Sequence, residues 1–178
     1  MAGIWYFAYG SNMQSATLRG RRGITYARAL PGRLDGWRLV LDKPPLIPIA
    51  GAFANVIPDP DAAVYGVLFE VTDDDMAHID LTEGVLVGNY DRVPVTVWPL
   101  AEPCVEAVLA YTLTSTRHDP QRLPTRRYMQ LLIEGAEEHG LPADYITHLR
   151  ALPAGEETSE STEFRSLLDQ FLRRPSRP

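Results

Sequence analysis

Between Ile24 and Leu113 the chain is a succession of short apolar runs rich in β-branched and aromatic residues, separated by proline and glycine turns. Runs of that length, joined by connections too short to hold a helix, pair most readily as neighbouring antiparallel strands rather than through βαβ crossovers. The reading is Ile24–Leu30 and Trp37–Leu41 as strands around a Pro31-Gly32 turn, then Ala52–Ile57 and Val64–Val71 as a hairpin across Pro58-Asp59-Pro60-Asp61. Arg92–Trp98 and Val105–Leu113 add two more. The expected architecture is α+β, with about six strands in a largely antiparallel sheet that is able to close on itself.

Helical signals flank this sheet. Thr72 ahead of Asp73, Asp74 and Asp75 opens a short helix that ends near Glu83-Gly84, the acidic triplet complementing the positive helix terminus rather than marking a metal site. From Pro124 the apolar period becomes helical, with Tyr128, Leu131, Leu132 and Ala136 on one face and Gly140 as the stop, and Pro142 starts a further helix. Gly155–Thr162 reads as a polar linker, and Phe164, Leu167, Leu168, Phe171 and Leu172 form an apolar stripe in a last helix, which leaves a homodimer open. The chain divides into a domain over 1–153 and a linker with amphipathic helix over 154–178. Lys43–Pro48 must be a loop, because prolines lack the helical donor, and its apolar residues are a candidate pocket wall.

The 178 residues, 45% of them hydrophobic, can build one core, and a net charge of −6 argues against a nucleic-acid surface. Cys104 is the only cysteine, so no internal disulfide can form and a reducing, cytoplasmic compartment fits. No basic run precedes a long apolar segment and no stretch is apolar for about 18 residues, so neither secretion nor a membrane span is expected. There is no Gly-x-Ser-x-Gly elbow, no Walker loop and no histidine pair at ligand spacing among His78, His118, His139 and His148.

Two places could carry chemistry. Tyr6-Phe7-Ala8-Tyr9-Gly10-Ser11-Asn12-Met13 reads as a strand running through a glycine turn into a helix, with Ser11 and Gln14 spaced as a capping box. Such a junction directs backbone N–H groups into one concavity and suits a carboxylate or phosphate oxygen. Glu83 ends a short helix beside Ile79, Leu81, Val85, Leu86 and Val87. Apolar walls there would disfavour its charged form and raise its proton affinity toward what a general base near neutrality needs.

The 6–13 segment resembles the signature of the γ-glutamylcyclotransferases, a fold shared with AIG2-like proteins. Ile-Asp-Leu-Thr-Glu-Gly-Val at 79–85, with Tyr90 following, resembles the segment holding that family's catalytic glutamate. The helix pair from Pro124 to Leu152, with Arg-Tyr-Met-Gln at 127–130, resembles its C-terminal region. The resemblance implies a compact mixed barrel with flanking helices and a cofactor-independent, intramolecular aminolysis. The α-amine of a γ-glutamyl group would attack its own γ-carbonyl, releasing 5-oxoproline and an amino acid or amine, with Glu83 as general acid/base. It places Tyr6, Phe7, Ala8, Tyr9, Gly10, Ser11 and Asn12 around the glutamyl portion, with Tyr128, Tyr90 and Tyr111 as pocket residues. The partner is then a small γ-glutamyl molecule, neither nucleic acid nor membrane. The acidic surface favours a cationic amine as leaving group. The alternative is a non-catalytic domain that uses the same pocket to bind a γ-glutamyl or other carboxylate ligand, or for assembly.

Overall fold

Five strands close into a barrel in the order β1-β3-β2-β4-β5: β1 (Ile4–Ala8), β2 (Ala29–Lys43), β3 (Phe53–Val71), β4 (Asp91–Pro99) and β5 (Val108–Thr114). The computed structural model describes residues 3–47, 49–100, 106–159, 162–163, 166–167 and 170. Every pairing is antiparallel except the closing one, where Tyr6 of β1 lies parallel to Tyr111 of β5. The expected mixed barrel with flanking helices is therefore present. Cys104, Pro48 and most of the 164–172 stripe fall outside the described residues.

The strand count falls from about six to five because four expected strands are two long ones. Pro31-Gly32 does not reverse the chain: Pro31 pairs with Val67 and Gly32 with Gly66 in continuous register. Pro58-Asp59-Pro60-Asp61 is not a hairpin turn either. Trp37 pairs with Pro58 and Asp35 with Ala63, so residues 59–62 bulge opposite the single residue Gly36, whose φ of 78° only glycine adopts without strain. The prolines are tolerated because β1 reaches only Val67–Val71, leaving that part of β3 with one bonded edge. The true reversal between β2 and β3 is the proline-rich segment 44–52.

Among the described residues three α-helices complete the domain: α1 (Asp73–Glu83), α2 (Arg126–Glu138) and α3 (Ala143–Ala151). Thr72 caps α1 by accepting from the Asp75 N–H at 3.1 Å, and Gly84 ends it with φ of 72°. Of the acidic triplet, Asp75 is buried and accepts the hydroxyls of Thr25 and Thr72 at 2.9 and 2.8 Å, a structural role. Thr125 caps α2 through the Tyr128 N–H, and the α2 face Tyr128, Met129, Leu132 and Ala136 enters the core beside Met13 and Phe7. The polar run after α3 begins as part of the domain rather than as a free linker. Gly155 bridges to Thr125, and Arg126 and Arg127 pair with Glu156 and Glu157.

Candidate active site

The end of the barrel at the β2–β3 loop gathers the turn after β1, the C-terminus of α1 and the first turn of α2 around two adjoining cavities of about 320 and 40 Å³. Ser11, Glu83, Tyr90 and Tyr128 line both, so they stand at the junction. Tyr6, Tyr9, Gly10 and Asn12 line the smaller one. Phe7, Ala8 and Tyr111 line neither: Phe7 and Ala8 are core residues, and the Tyr111 ring lies 5.0 Å from the Arg92 guanidinium.

The turn after β1 is built differently from the expected capped helix. Ser11–Met13 is a single 3₁₀ turn closed by Met13 N–H to Gly10 O and Gln14 N–H to Ser11 O, followed by a π-helical stretch over Ala16–Arg21. No capping box forms, because the Gln14 amide donates to Glu134 and accepts from the Thr17 hydroxyl. The amides of Met13 and Gln14 are thus consumed by the turn, and the hydroxyl of Tyr128 bonds to the Ser11 backbone and side chain. The expected cradle of free helix N–H groups gives way to side-chain groups. Gly10 is needed for space rather than for its backbone angle, φ being −112°. A Cβ there would sit 3.2 Å from the Tyr128 hydroxyl and 3.3 Å from Ala54 Cβ.

Four buried tyrosines furnish this side. Burial pushes Tyr6, Tyr9 and Tyr90 well above the usual phenol range and Tyr128 up to about 12, so all four keep their protons near neutrality. Tyr9 donates to Leu113 O, and Tyr90 to Ala54 O at 2.8 Å, while Tyr128 accepts from Ala54 N–H at 3.0 Å. These bonds fix the rings against β3 and β5.

Glu83 is surrounded by polar partners, which corrects the apolar wall expected from its neighbours in sequence. Its Oε1 accepts from Asn12 Nδ2 at 3.0 Å and from the Arg22 guanidinium at 2.9 Å. Leu81, Leu86 and Val87 are instead 53, 82 and 69% exposed. The helix end turns those side chains toward solvent while the carboxylate reaches back to the β1 turn. Asn12 Nδ2 also donates to the Tyr6 hydroxyl at 3.1 Å, and the Glu83 contact fixes the amide's orientation, since the reverse would set its oxygen against a carboxylate oxygen. Asn12 Oδ1 is then a buried acceptor with no partner among the described residues. Such an orphan is costly unless a ligand donor completes it.

Sequence reading missed Arg22, Asn89 and Lys43. Asn89 Nδ2 donates to Glu83 O at 2.8 Å and its Oδ1 accepts from Lys43 Nζ at 2.6 Å. Lys43 is fully buried, 4.3 Å from the Tyr90 ring centre. Burial, reinforced by Arg117 and opposed by Glu83, pushes its amine down from 10.5 to about 8. Because the unfolded chain holds that proton up to about 10.5 and the folded one only to about 8, stability gains with rising pH between those values. Wild type should therefore gain about 3 kcal/mol on Lys43→Met across that window. Chemical denaturation at stepped pH checks this, and a gap that stays constant contradicts it.

Residues 63–149 match the model of the AIG2-like family. A γ-glutamylcyclotransferase of Homo sapiens is 27% identical over 161 residues, covering 89% of this chain and 83% of that protein. The γ-glutamyl cyclotransferase of Aspergillus oryzae is 29% identical over 164 residues, and this chain spans only 60% of its length. The chain is similar to γ-glutamylcyclotransferases along most of its length and to the AIG2-like family over 63–149. Solved structures share its fold. A γ-glutamyl cyclotransferase superposes with a TM-score of 0.76 at 21% identity, over 93% of this chain and 99% of that one. A yeast cyclotransferase specific to glutathione reaches 0.57 at 13% identity, over 84 and 94%. Among the described residues no helix of this chain is long and apolar enough to cross a membrane.

Proposed function

We propose that the protein is a γ-glutamylcyclotransferase that cleaves a γ-glutamyl amide by intramolecular attack, releasing 5-oxoproline and the amine. The observation that carries this reading is Glu83, held by Asn12 and Arg22 through one oxygen at the junction of a small polar cavity and a larger one. The polar cavity takes the γ-glutamyl group, with the α-ammonium against Glu83 and the unpartnered Asn12 Oδ1. Glu83 accepts a proton from the ammonium, and the freed amine adds to the γ-carbonyl carbon of the same molecule. The new C–N bond closes the five-membered ring, and the carbonyl electron pair moves onto oxygen, where a tyrosine or Ser11 hydroxyl serves as donor. The oxyanion pair then re-forms the carbonyl as the original C–N bond breaks and Glu83 returns the proton to the leaving nitrogen; the ring nitrogen loses its second proton, which departs with the released amine as its ammonium.

Atoms balance without water or a protein nucleophile, and holding one substrate folded supplies much of the acceleration because both reactants are already joined. Residues 1–153 form the catalytic unit in this reading, and the only cysteine, Cys104, fits a cytoplasmic setting. A homodimer belongs to this reading, and size exclusion of the full chain beside one cut after Thr158 tests it: a monomer in both removes this part.

The activity is tested by measuring 5-oxoproline release from γ-glutamyl amino acids, γ-glutamylamines and glutathione. Release from at least one of them is expected. No release by a folded protein that binds a γ-glutamyl ligand would overturn the reading in favour of a binding domain.

A further inference from the structure

The larger cavity has a character that ring closure does not require. Much of its wall beyond the junction is apolar: Pro45, Leu46, Ile47 and Ile49 of the β2–β3 loop line it together with Phe53 and Leu131, and polar groups enter through Arg21, Arg22 and Asn89. At about 320 Å³ it reaches the ~300 Å³ at which pockets for organic ligands begin, whereas the polar cavity beside it is about 40 Å³. Its rim is apolar too. Leu46, Leu81 and Val87 line it and are 49, 53 and 69% exposed, a cluster of wet hydrophobic surface that a ligand can cover.

Charge narrows the occupant further. Arg21 and Arg22 line the same cavity, and Glu83 is the only carboxylate among its described lining residues. Glu83 is engaged by Arg22 and, in the cyclotransferase reading, by the α-ammonium, so an ammonium on the leaving group would find no further carboxylate among the described lining residues. The overall negative charge of the chain favours cationic amines only while the local walls are ignored.

We infer that the leaving half of the substrate is an amino acid or amine bearing a bulky apolar side chain, seated between the β2–β3 loop and the end of α1. This rests on the cyclotransferase reading, since the junction at Glu83 makes the larger cavity the leaving-group side. Covering the apolar rim and walls removes hydrocarbon surface from water on both partners, and each added methylene contributes to transition-state binding.

The test compares kcat/KM for γ-glutamyl-leucine, γ-glutamyl-phenylalanine, γ-glutamyl-alanine and γ-glutamyl-lysine, read as 5-oxoproline. Leucine and phenylalanine conjugates should exceed those of alanine and lysine by about tenfold or more. In Leu81→Ser and Val87→Ser the leucine-to-alanine ratio should fall several-fold. Both residues are exposed enough that folding does not depend on them. Equal turnover of all four conjugates, a preference for lysine, or a ratio untouched by both substitutions would overturn the inference while leaving the cyclotransferase intact. No 5-oxoproline from any conjugate would instead remove the reading on which it stands.

Discussion

Glu83→Gln should lower kcat for 5-oxoproline release by roughly 10²- to 10⁴-fold, the usual contribution of a positioned proton-transfer group. The substitution keeps the shape and the amide oxygen can still accept from Asn12 and Arg22, so the fold and the binding of a γ-glutamyl ligand should persist. What is lost is the ability to take a proton from the α-ammonium and return it to the leaving nitrogen. Steady-state kinetics beside a ligand-induced shift in Tm separate the two effects. A glutamine variant with near wild-type kcat would mean that another group moves the proton. A variant that neither binds nor folds would mean that the ion pair with Arg22 is structural.

The second large effect is expected at a glycine packed against the turn after β1. Gly135 lies inside α2, where alanine ordinarily stabilises a helix by up to about 1 kcal/mol. Here a Cβ would stand 2.6 Å from Gln14 N, 2.7 Å from Met13 Cβ and 2.8 Å from Met13 C. Two of those atoms are backbone, in the turn that carries Ser11 and Asn12, so relief requires the turn itself to move. Gly135→Ala should therefore destabilise the protein by about 1–3 kcal/mol, as overpacking does, despite its favourable helix propensity. The shifted turn also carries Asn12 away from Glu83, so kcat/KM should fall at least tenfold even where the variant remains folded. Thermal unfolding and kinetics on the same preparation test both halves. A more stable Gly135→Ala protein would show that helix propensity outweighs the contact.

The elements that the sequence revealed most faithfully were those with paired start and stop signals. Thr72 and Gly84 bracket α1 as cap and left-handed terminator, and the α2 stripe from Tyr128 to Ala136 enters the core as its period requires. The β2 and β3 strands were harder, because Pro31-Gly32 and Pro58–Asp61 carry the same local chemistry whether a chain reverses or bulges. Only the register with the facing strand decides, and that register is a long-range property. The site followed the same rule. Glu83, Asn12 and the tyrosines were legible as residue types within short segments, whereas Arg22 and Lys43 meet them only through the tertiary fold, and Asn89 reaches Glu83 through the local turn after α1. Arg22 sits in a basic helix end with no local sign of its partner, 61 positions ahead of Glu83. The apolar neighbours of Glu83 misled because exposure at a helix end depends on which way the next turn leaves, and here Gly84 turns Leu86 and Val87 to solvent.

The most direct test of the central claim follows the oxygen. When a γ-glutamyl amino acid that the enzyme turns over is incubated in ¹⁸O-labelled water, intramolecular aminolysis forms 5-oxoproline without any oxygen from solvent. Mass spectrometry should find unlabelled 5-oxoproline and the free amino acid in equal amounts. Labelled glutamate in place of 5-oxoproline would show that water, not the substrate's own amine, is the nucleophile.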